Sequence, residues 1–192
     1  MKPDRLNAFT DGVIAIIITI MVLELRVPEG IGLAALRPEL PVFAAYVLSF
    51  IYVGIYWNNH HHMMQTAKRV DGRVLWSNLG LLFWLSLFPF GIRWVDERGV
   101  TSFPVAASGF VLFMAAMSYF VLERALIAAE GEASTIRKAV GASGKEWLSA
   151  GLYALGIAAA FVVSPYVSIA LYVAVAIIWL IPDRRFVRNL QR

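Results

Sequence analysis

Long apolar runs separated by short polar connections dominate the chain. A helix needs about 20 mostly apolar residues to cross the roughly 30 Å hydrocarbon core of a bilayer. Six runs come near that length, and they predict an all-α polytopic membrane protein with about six transmembrane helices. The predicted spans are Phe9–Val27, Val42–Met64, Val74–Val95, Phe103–Ala128, Trp147–Val163 and Tyr166–Ile181.

Prolines and polar residues divide these runs. Pro28 and Pro182 are expected to end the first and last spans, and Pro89 to kink the third. The last two spans are separated only by Ser164 and Pro165, so they form either a tight hairpin or one kinked helix. Because no internal repeat is evident, residues 1–192 are interpreted as a single six-helix unit.

Composition supports the membrane class. Hydrophobic residues make up 59% of the chain and charged residues 16%, against about 45–50% and about 25% in soluble domains. The absence of cysteine excludes disulfides, thiolate metal sites and cysteine nucleophiles. Two acidic residues precede the first apolar run and no small-residue cleavage site follows it, so the first helix is expected to be retained rather than removed as a signal peptide.

The basic residues are distributed unequally between the two membrane sides. With six spans, alternate connections lie on opposite sides, and 13 of the 17 lysines and arginines fall on the side of the two termini. The positive-inside rule therefore predicts cytoplasmic termini. This asymmetry also accounts for the pI near 9.6, so no nucleic-acid partner is needed to explain it. The four basic residues on the opposite side are Arg26, Arg37, Arg93 and Arg98.

Asp11 lies at or just within the membrane edge of the first span. A carboxylate there is costly unless it is paired or hydrated, and it is a functional-site hypothesis by default. The simpler alternative is a helix cap formed by Thr10 or Asp11. Because the first helix starts and the second ends in the cytoplasm, Asp11 and the histidines at 60–62 share one depth. An Asp–His or Asp–Trp contact is therefore possible.

The triple histidine, His60, His61 and His62, suggests metal binding at first sight. Consecutive helical side chains point about 100° apart, so the three cannot all chelate one ion. We therefore expect no metal site, and expect instead that one or two of these imidazoles face the bundle and hydrogen-bond polar groups of the first helix.

Ile16, Thr19 and Leu23 share one face of the first helix, because they are spaced three and four residues apart. The simplest interpretation is that the Thr19 hydroxyl bonds a backbone carbonyl one turn back and that the aliphatic side chains face lipid or core. The functional alternative is a pore stripe in which two apolar rings bracket a hydroxyl ring.

Several motifs together resemble one known family. The start of the first helix reads R-x-x-x-F-[ST]-D-G-V-x-A-I-x-x-T from Arg5 to Thr19. This is similar to the signature of the transmembrane protein 175 family, which comprises lysosomal potassium channels of animals and prokaryotic relatives. The W-x-x-H-H at Trp57, the D-x-x-x-x-W-x-N-L at Asp71, Pro89-Phe90 and the terminal W-L-I-P-D-R-R are also similar. The fourth and fifth spans carry nothing distinctive, and Thr10 stands where the family usually has serine.

The resemblance implies a potassium-permeable cation channel in the prokaryotic inner membrane, with a pore built from the first helices and no TVGYG filter. It implies a homotetramer with Ile16 as the narrowest ring and Thr19 and Leu23 beyond it. No enzymatic activity and no cofactor other than permeant K⁺ are expected. The residues implied in the motif network are Arg5, Phe9, Thr10, Asp11, Trp57, His60, His61 and Asn78.

Two other functional classes stay open at this point. A proton-coupled or ion-coupled secondary transporter could use Asp11 and the histidines as a proton relay, although transporters normally show internal repeats and broken helices. An intramembrane enzyme or cofactor protein could use His60 to His62.

Overall fold

The computed structural model describes residues 3–131, 134, 136–137 and 144–180. This part of the chain forms α-helices, one short 3-10 helix at Leu33–Leu36, and no strand, which confirms the predicted all-α fold. The helices are α1 (Pro3–Leu23), α2 (Leu40–Thr66), α3 (Gly72–Leu85), α4 (Phe88–Arg98), α5 (Ser102–Glu130), α6 (Gly144–Val162) and α7 (Pro165–Leu180).

Within the described residues, four helical segments are long and apolar enough to cross a bilayer, which confirms the predicted membrane class. They are Pro3–Leu23, Leu40–Thr66, Gly72–Arg98 and Ser102–Glu130, and Pro165–Leu180 is a shorter apolar helix. The predicted end of the last span, the basic terminus after it and most of the polar connection between α5 and α6 lie outside the described residues.

The third predicted span is interrupted, so that α3 and α4 together make one segment. The Leu87 amide bonds the Trp84 carbonyl three residues back, at 3.2 Å, instead of continuing the α-helical pattern. Pro89 then lies in the first turn of α4. Backbone N–H groups in the first turn have no partner within the helix, so proline is tolerated there. The predicted kink is therefore a short break just before the proline.

The predicted bounds of the first span were wrong at both ends. Helix α1 begins at Pro3, in the polar N-terminal segment, and ends at Leu23, before Val27. At its end the Glu24 amide bonds the Met21 carbonyl and the Leu25 amide bonds the Val22 carbonyl, which tightens the last turn. The chain then leaves the helix, and Arg26 forms a 2.6 Å ion pair with Asp96 of α4.

A buried tyrosine cluster joins α2 to the second half of the bundle. The Tyr52 hydroxyl donates to the Tyr172 carbonyl at 2.5 Å, and the Tyr153 hydroxyl donates to the Tyr52 oxygen at 3.3 Å. The Tyr172 ring lies between Gly109 of α5 and Gly156 of α6, where a Cβ at either glycine would overlap the ring. The two glycines therefore permit the close packing of α5, α6 and α7.

This packing generates a prediction for Gly109→Ala. The new methyl would meet the Tyr172 phenol, which cannot swing aside because Gly156 confines its other side. Overpacking of this kind costs about 1–3 kcal/mol, so the melting temperature of the detergent-purified protein should fall. Gly151→Ala is the matched control, because that helical glycine is exposed and a methyl added there would meet no atom within 4 Å. Equal melting temperatures for the two variants would contradict this account.

Candidate functional site

Helix α1 has two apolar faces with different surroundings. One face packs against α2, α3 and α4, and its residues are buried. They are Leu6, Thr10, Ile14, Ile17 and Met21. The other face is uncovered within the chain, although it carries several large apolar side chains. Its large exposed side chains are Phe9, Ile16, Ile20, Val22 and Leu23.

The structure places the three residues of the predicted stripe on the uncovered face. Ile16 is 59% exposed and Leu23 is 79% exposed. Thr19 is also exposed, and its hydroxyl donates to the Ile16 carbonyl at 2.8 Å. That bond uses the one proton of the hydroxyl, so the oxygen lone pairs remain available on the exposed side. The hydrogen bond that the simpler interpretation predicts for Thr19 is therefore present. It is compatible both with a packing role and with a pore-lining role for this residue.

Behind α1 lies the Asn78 triad, a buried chain of three polar side chains from three helices. The Asn78 amide nitrogen donates to the Thr10 hydroxyl at 2.9 Å, and the Asn78 amide oxygen lies 2.9 Å from His60 Nε2. Because an amide oxygen only accepts, Nε2 must carry the proton of this imidazole. All three side chains are at most 1% exposed. The triad therefore fixes α1 against both α2 and α3.

A second network, the Asp11 cluster, lies beside the triad and is more exposed. The Trp57 indole N–H donates to one Asp11 oxygen at 2.9 Å, and the Asn7 amide donates to the other at 3.1 Å. The Trp57 ring stacks on His61 at 5.8 Å between centroids, and His61 Nε2 is 2.9 Å from Gln65 Nε2. Both oxygens of the carboxylate thus have donors, which is what a carboxylate at membrane depth requires.

The structure brings some of the predicted site residues into contact and leaves others apart. Asp11 contacts Trp57 rather than a histidine. Arg5 and Phe9 are exposed, and within the described chain neither joins the networks. Arg5 is six residues before Asp11, which places it about 120° away around the helix and roughly 9 Å along it. Phe9 faces the uncovered side instead.

Sequence reasoning missed Asn7 and Gln65. The signal for both was helical spacing, since Asn7 precedes Asp11 by four residues and Gln65 follows His61 by four. It also left open which histidine faces the bundle. His60 is buried, whereas His61 and His62 are partly exposed. Across the described residues no group of three or more His, Asp or Glu side chains is placed to hold a metal ion.

Comparison with known proteins identifies the family. The family model for the endosomal/lysosomal potassium channel TMEM175 matches residues 5–89. Over 191 residues the chain is 53% identical to Potassium channel HX13_20290 of Chryseobacterium sp. (strain P1-3), covering 100% of this chain and 99% of that protein. The chain belongs to the TMEM175 family.

Structural similarity agrees with the TMEM175 assignment. The fold matches the crystal structure of a lysosomal potassium-selective channel TMEM175 homolog from Chamaesiphon minutus, with a TM-score of 0.77 and 25% identity. That match covers 94% of this chain and 97% of the other. The chain is also 29% identical over 153 residues to the endosomal/lysosomal proton channel TMEM175 of Bos taurus, which is 69% of this chain and 31% of that longer protein.

The segment matched by the TMEM175 family contains both polar networks and the uncovered face of α1. Residues 5–89 run from the start of α1 into the first turn of α4. Helices α5 to α7 lie outside that segment, and they surround the tyrosine cluster that packs against α2. The family sequence signature is therefore concentrated in the helices that position α1.

The Asn78 triad generates a prediction for Asn78→Leu. Leucine keeps a similar volume but leaves the Thr10 hydroxyl and the His60 N–H without their buried partner. Interhelical hydrogen bonds in membranes contribute about 0.5–2 kcal/mol, so the melting temperature of the purified protein should fall measurably. The neighbouring change Ser77→Ala is the control, because that hydroxyl donates to the Arg73 carbonyl of its own helix. If the melting temperature of Asn78→Leu is no lower than that of Ser77→Ala, the triad does not fix α1 against α2 and α3.

Proposed function

We propose that this chain is the subunit of a potassium-permeable channel in the cell membrane, in which several copies, most simply four, surround a central pore lined by α1. The observation that carries the proposal is the uncovered apolar face of α1, whose opposite face is fixed within the subunit. Similarity over the full chain to a protein described as a potassium channel supports the same function.

The uncovered face of α1 has the residues that a hydrophobic gate requires. A single helix cannot enclose a pore, whereas copies of α1 around an axis would bring the Ile16 side chains into one ring. Leu23 would form a second ring about 10 Å further along the helix. Narrow apolar rings block ions by steric closure and by excluding water, so opening requires α1 to rotate or move outward.

Thr19 is the polar position between these two rings. Its hydroxyl proton is already committed to the Ile16 carbonyl, which leaves its oxygen lone pairs for a cation that has lost part of its hydration shell. The chain contains no TVGYG filter. Preference for K⁺ would therefore rest on a ring of hydroxyl oxygens together with the width of the apolar constriction.

The polar networks would set where α1 can move. The Asn78 triad and the Asp11 cluster both lie near the beginning of α1, whereas Ile16, Thr19 and Leu23 lie further along the same helix. An opening motion is therefore expected to leave the first turns of α1 in place and to displace the later turns. The networks would act as the fixed end of the gate.

Charge distribution supports an orientation with the networks on the cytoplasmic side. Among the described basic residues, those at the end of the bundle where α1 begins are Arg5, Lys68, Arg69, Arg73, Arg124, Arg137 and Lys145. The opposite end has Arg26, Arg37, Arg93 and Arg98. By the positive-inside rule, the first end faces the cytoplasm of a prokaryotic inner membrane.

The function is tested by recording from purified protein in planar bilayers with potassium as the only permeant cation. The wild-type protein should show discrete single-channel steps, which distinguish a channel from a transporter. Ile16→Asn should raise the closed-state current, by about tenfold for each ~1.4 kcal/mol removed from the dewetting barrier.

The control for this experiment is Ile177→Asn on α7. Ile177 is 54% exposed, close to the value for Ile16, but lies on a different helix. Ile14, on the other face of α1, is unsuitable because it is only 3% exposed and packs in the core. Absence of unitary steps would argue against a channel, and equal leak in Ile16→Asn and Ile177→Asn would argue against α1 as its gate.

A further inference from the structure

An apolar cavity of about 490 Å³ lies inside the bundle, apart from the two polar networks. Four helices surround it as a ring, in which α2 packs against α4, α4 against α5, α5 against α7, and α7 against α2. All four contribute lining residues, whereas none comes from α1. Tyr52 and Tyr172 of the tyrosine cluster lie at its inner end. The cavity is therefore a feature of the helices behind α1, and the proposed pore makes no use of it.

The cavity lies within the hydrocarbon core, in the half that adjoins the end of α1. Helices α2 and α5 both run inward from that end of the bundle, and their lining residues begin at Leu40 and Val105, close to where these helices start. The lining continues to Tyr52 on α2 and to Leu112 on α5. These residues are about 18 Å and about 10 Å further along their helices, which keeps them inside a core of roughly 30 Å.

The cavity opens near the membrane interface. Leu40, Phe90 and Tyr166 all line it, yet they are 57%, 56% and 69% exposed. Its wall is therefore incomplete at this end. Tyr166 and the half-buried Trp94 belong to the residue types that are enriched where helices leave the hydrocarbon core. A chain from the adjoining leaflet could enter here without displacing the packed tyrosine cluster.

The wall of the cavity offers few free polar groups. None of the described lining residues is charged. The Tyr52 hydroxyl already donates to the Tyr172 carbonyl, and the Tyr172 hydroxyl donates to the Val105 carbonyl at 3.5 Å. The Ser108 hydroxyl donates to the Pro104 carbonyl at 2.9 Å. A buried water needs about two to four polar partners, and an apolar cavity of about 150 Å³ stays dry and accepts benzene. The wall therefore favours hydrocarbon over water or a charged ligand.

We propose that this cavity holds an acyl chain of a phospholipid from the adjoining leaflet, with the headgroup left at the opening. The apolar wall indicates the chemical class, and the position within the core indicates the source, because acyl chains are the solvent at that depth. The volume lies in the range of about 300–1,000 Å³ that is usual for ligand sites. Without a charged lining residue, binding should not depend on the headgroup. The proposal requires membrane insertion and is independent of the channel function.

Photochemical labelling tests this proposal. The full-length protein is reconstituted in vesicles that contain phosphatidylcholine with a diazirine near the middle of one acyl chain. After irradiation, the labelled residues are located by mass spectrometry. Ile92 and Leu112 line the cavity and are only 1% and 7% exposed, so a chain outside the bundle cannot reach them. Both should be labelled in the wild type. Phosphatidylglycerol with the same chain should label them equally well.

Ala45→Trp is the variant that fills the cavity from α2. The added indole should abolish labelling of Ile92 and Leu112, because Ala45 lines the cavity. Labelling of Phe161, which is 54% exposed on α6, should persist, because it reports the lipid around the protein. Ala170→Trp is the matched control. Ala170 is an exposed alanine near the start of α7 and is not among the lining residues.

Several outcomes would overturn the proposal. One is wild-type protein in which Phe161 is labelled but Ile92 and Leu112 are not. Another is equal labelling of these two buried residues in Ala45→Trp and Ala170→Trp. Labelling by a diazirine fatty acid but not by the phospholipid would show that the cavity takes a free amphiphile instead. A disulfide between the Ala44→Cys residues of two copies, without label inside the cavity, would assign the opening to a neighbouring copy.

Discussion

Polar side chains buried among membrane helices depend on partners within the protein, and Asn78 joins buried polar side chains of three helices. Its amide donates to Thr10 and accepts from His60. All three side chains are at most 1% exposed, so a lost partner would leave a buried polar group unpaired, and the register of α1 against α2 and α3 follows from this one side chain. The position of every other residue of α1 depends on that register.

The two faces of α1 are a consequence of that register. Thr10 points to Asn78, and the residues one and two turns further along the same side, Ile14 and Ile17, are buried with it. Ile16, Thr19 and Leu23 are consequently turned outward, away from the other helices of the chain. An apolar face that the rest of the chain leaves uncovered can contact lipid or other copies of the chain, and the proposed channel assigns it to other copies.

Much of the fold could be predicted from the sequence, because run length and charge asymmetry are direct consequences of a bilayer of fixed thickness. The ends of α1 could not, since Pro3 to Ala8 are polar in character and become helical through the contacts of Leu6 and Asn7. The close fit of Tyr172 between Gly109 and Gly156 could not be predicted from the sequence either, because the three residues come together only in the tertiary structure.

The site was predictable as a set of residue types but not as a set of pairs. Depth alone placed Asp11 near Trp57 and the histidines, yet it could not choose Trp57 as the donor. Three consecutive histidines gave no indication that His60 would be the buried one, because helix rotation is decided by packing. The assignment of Ile16, Thr19 and Leu23 to a pore stays a prediction.

Chemical modification of single cysteines tests that assignment most directly, because the chain contains no cysteine of its own. Leu23→Cys places a thiol on the uncovered face of α1, and Val162→Cys places one on a similarly exposed position at the end of α6, at the same end of the bundle. A charged, membrane-impermeant thiol reagent, applied from the side where α1 ends, should reduce the potassium current of Leu23→Cys and leave that of Val162→Cys unchanged. A pore lined by α1 would be contradicted if the reagent left the current of Leu23→Cys unchanged and the thiol proved unreactive in the open channel.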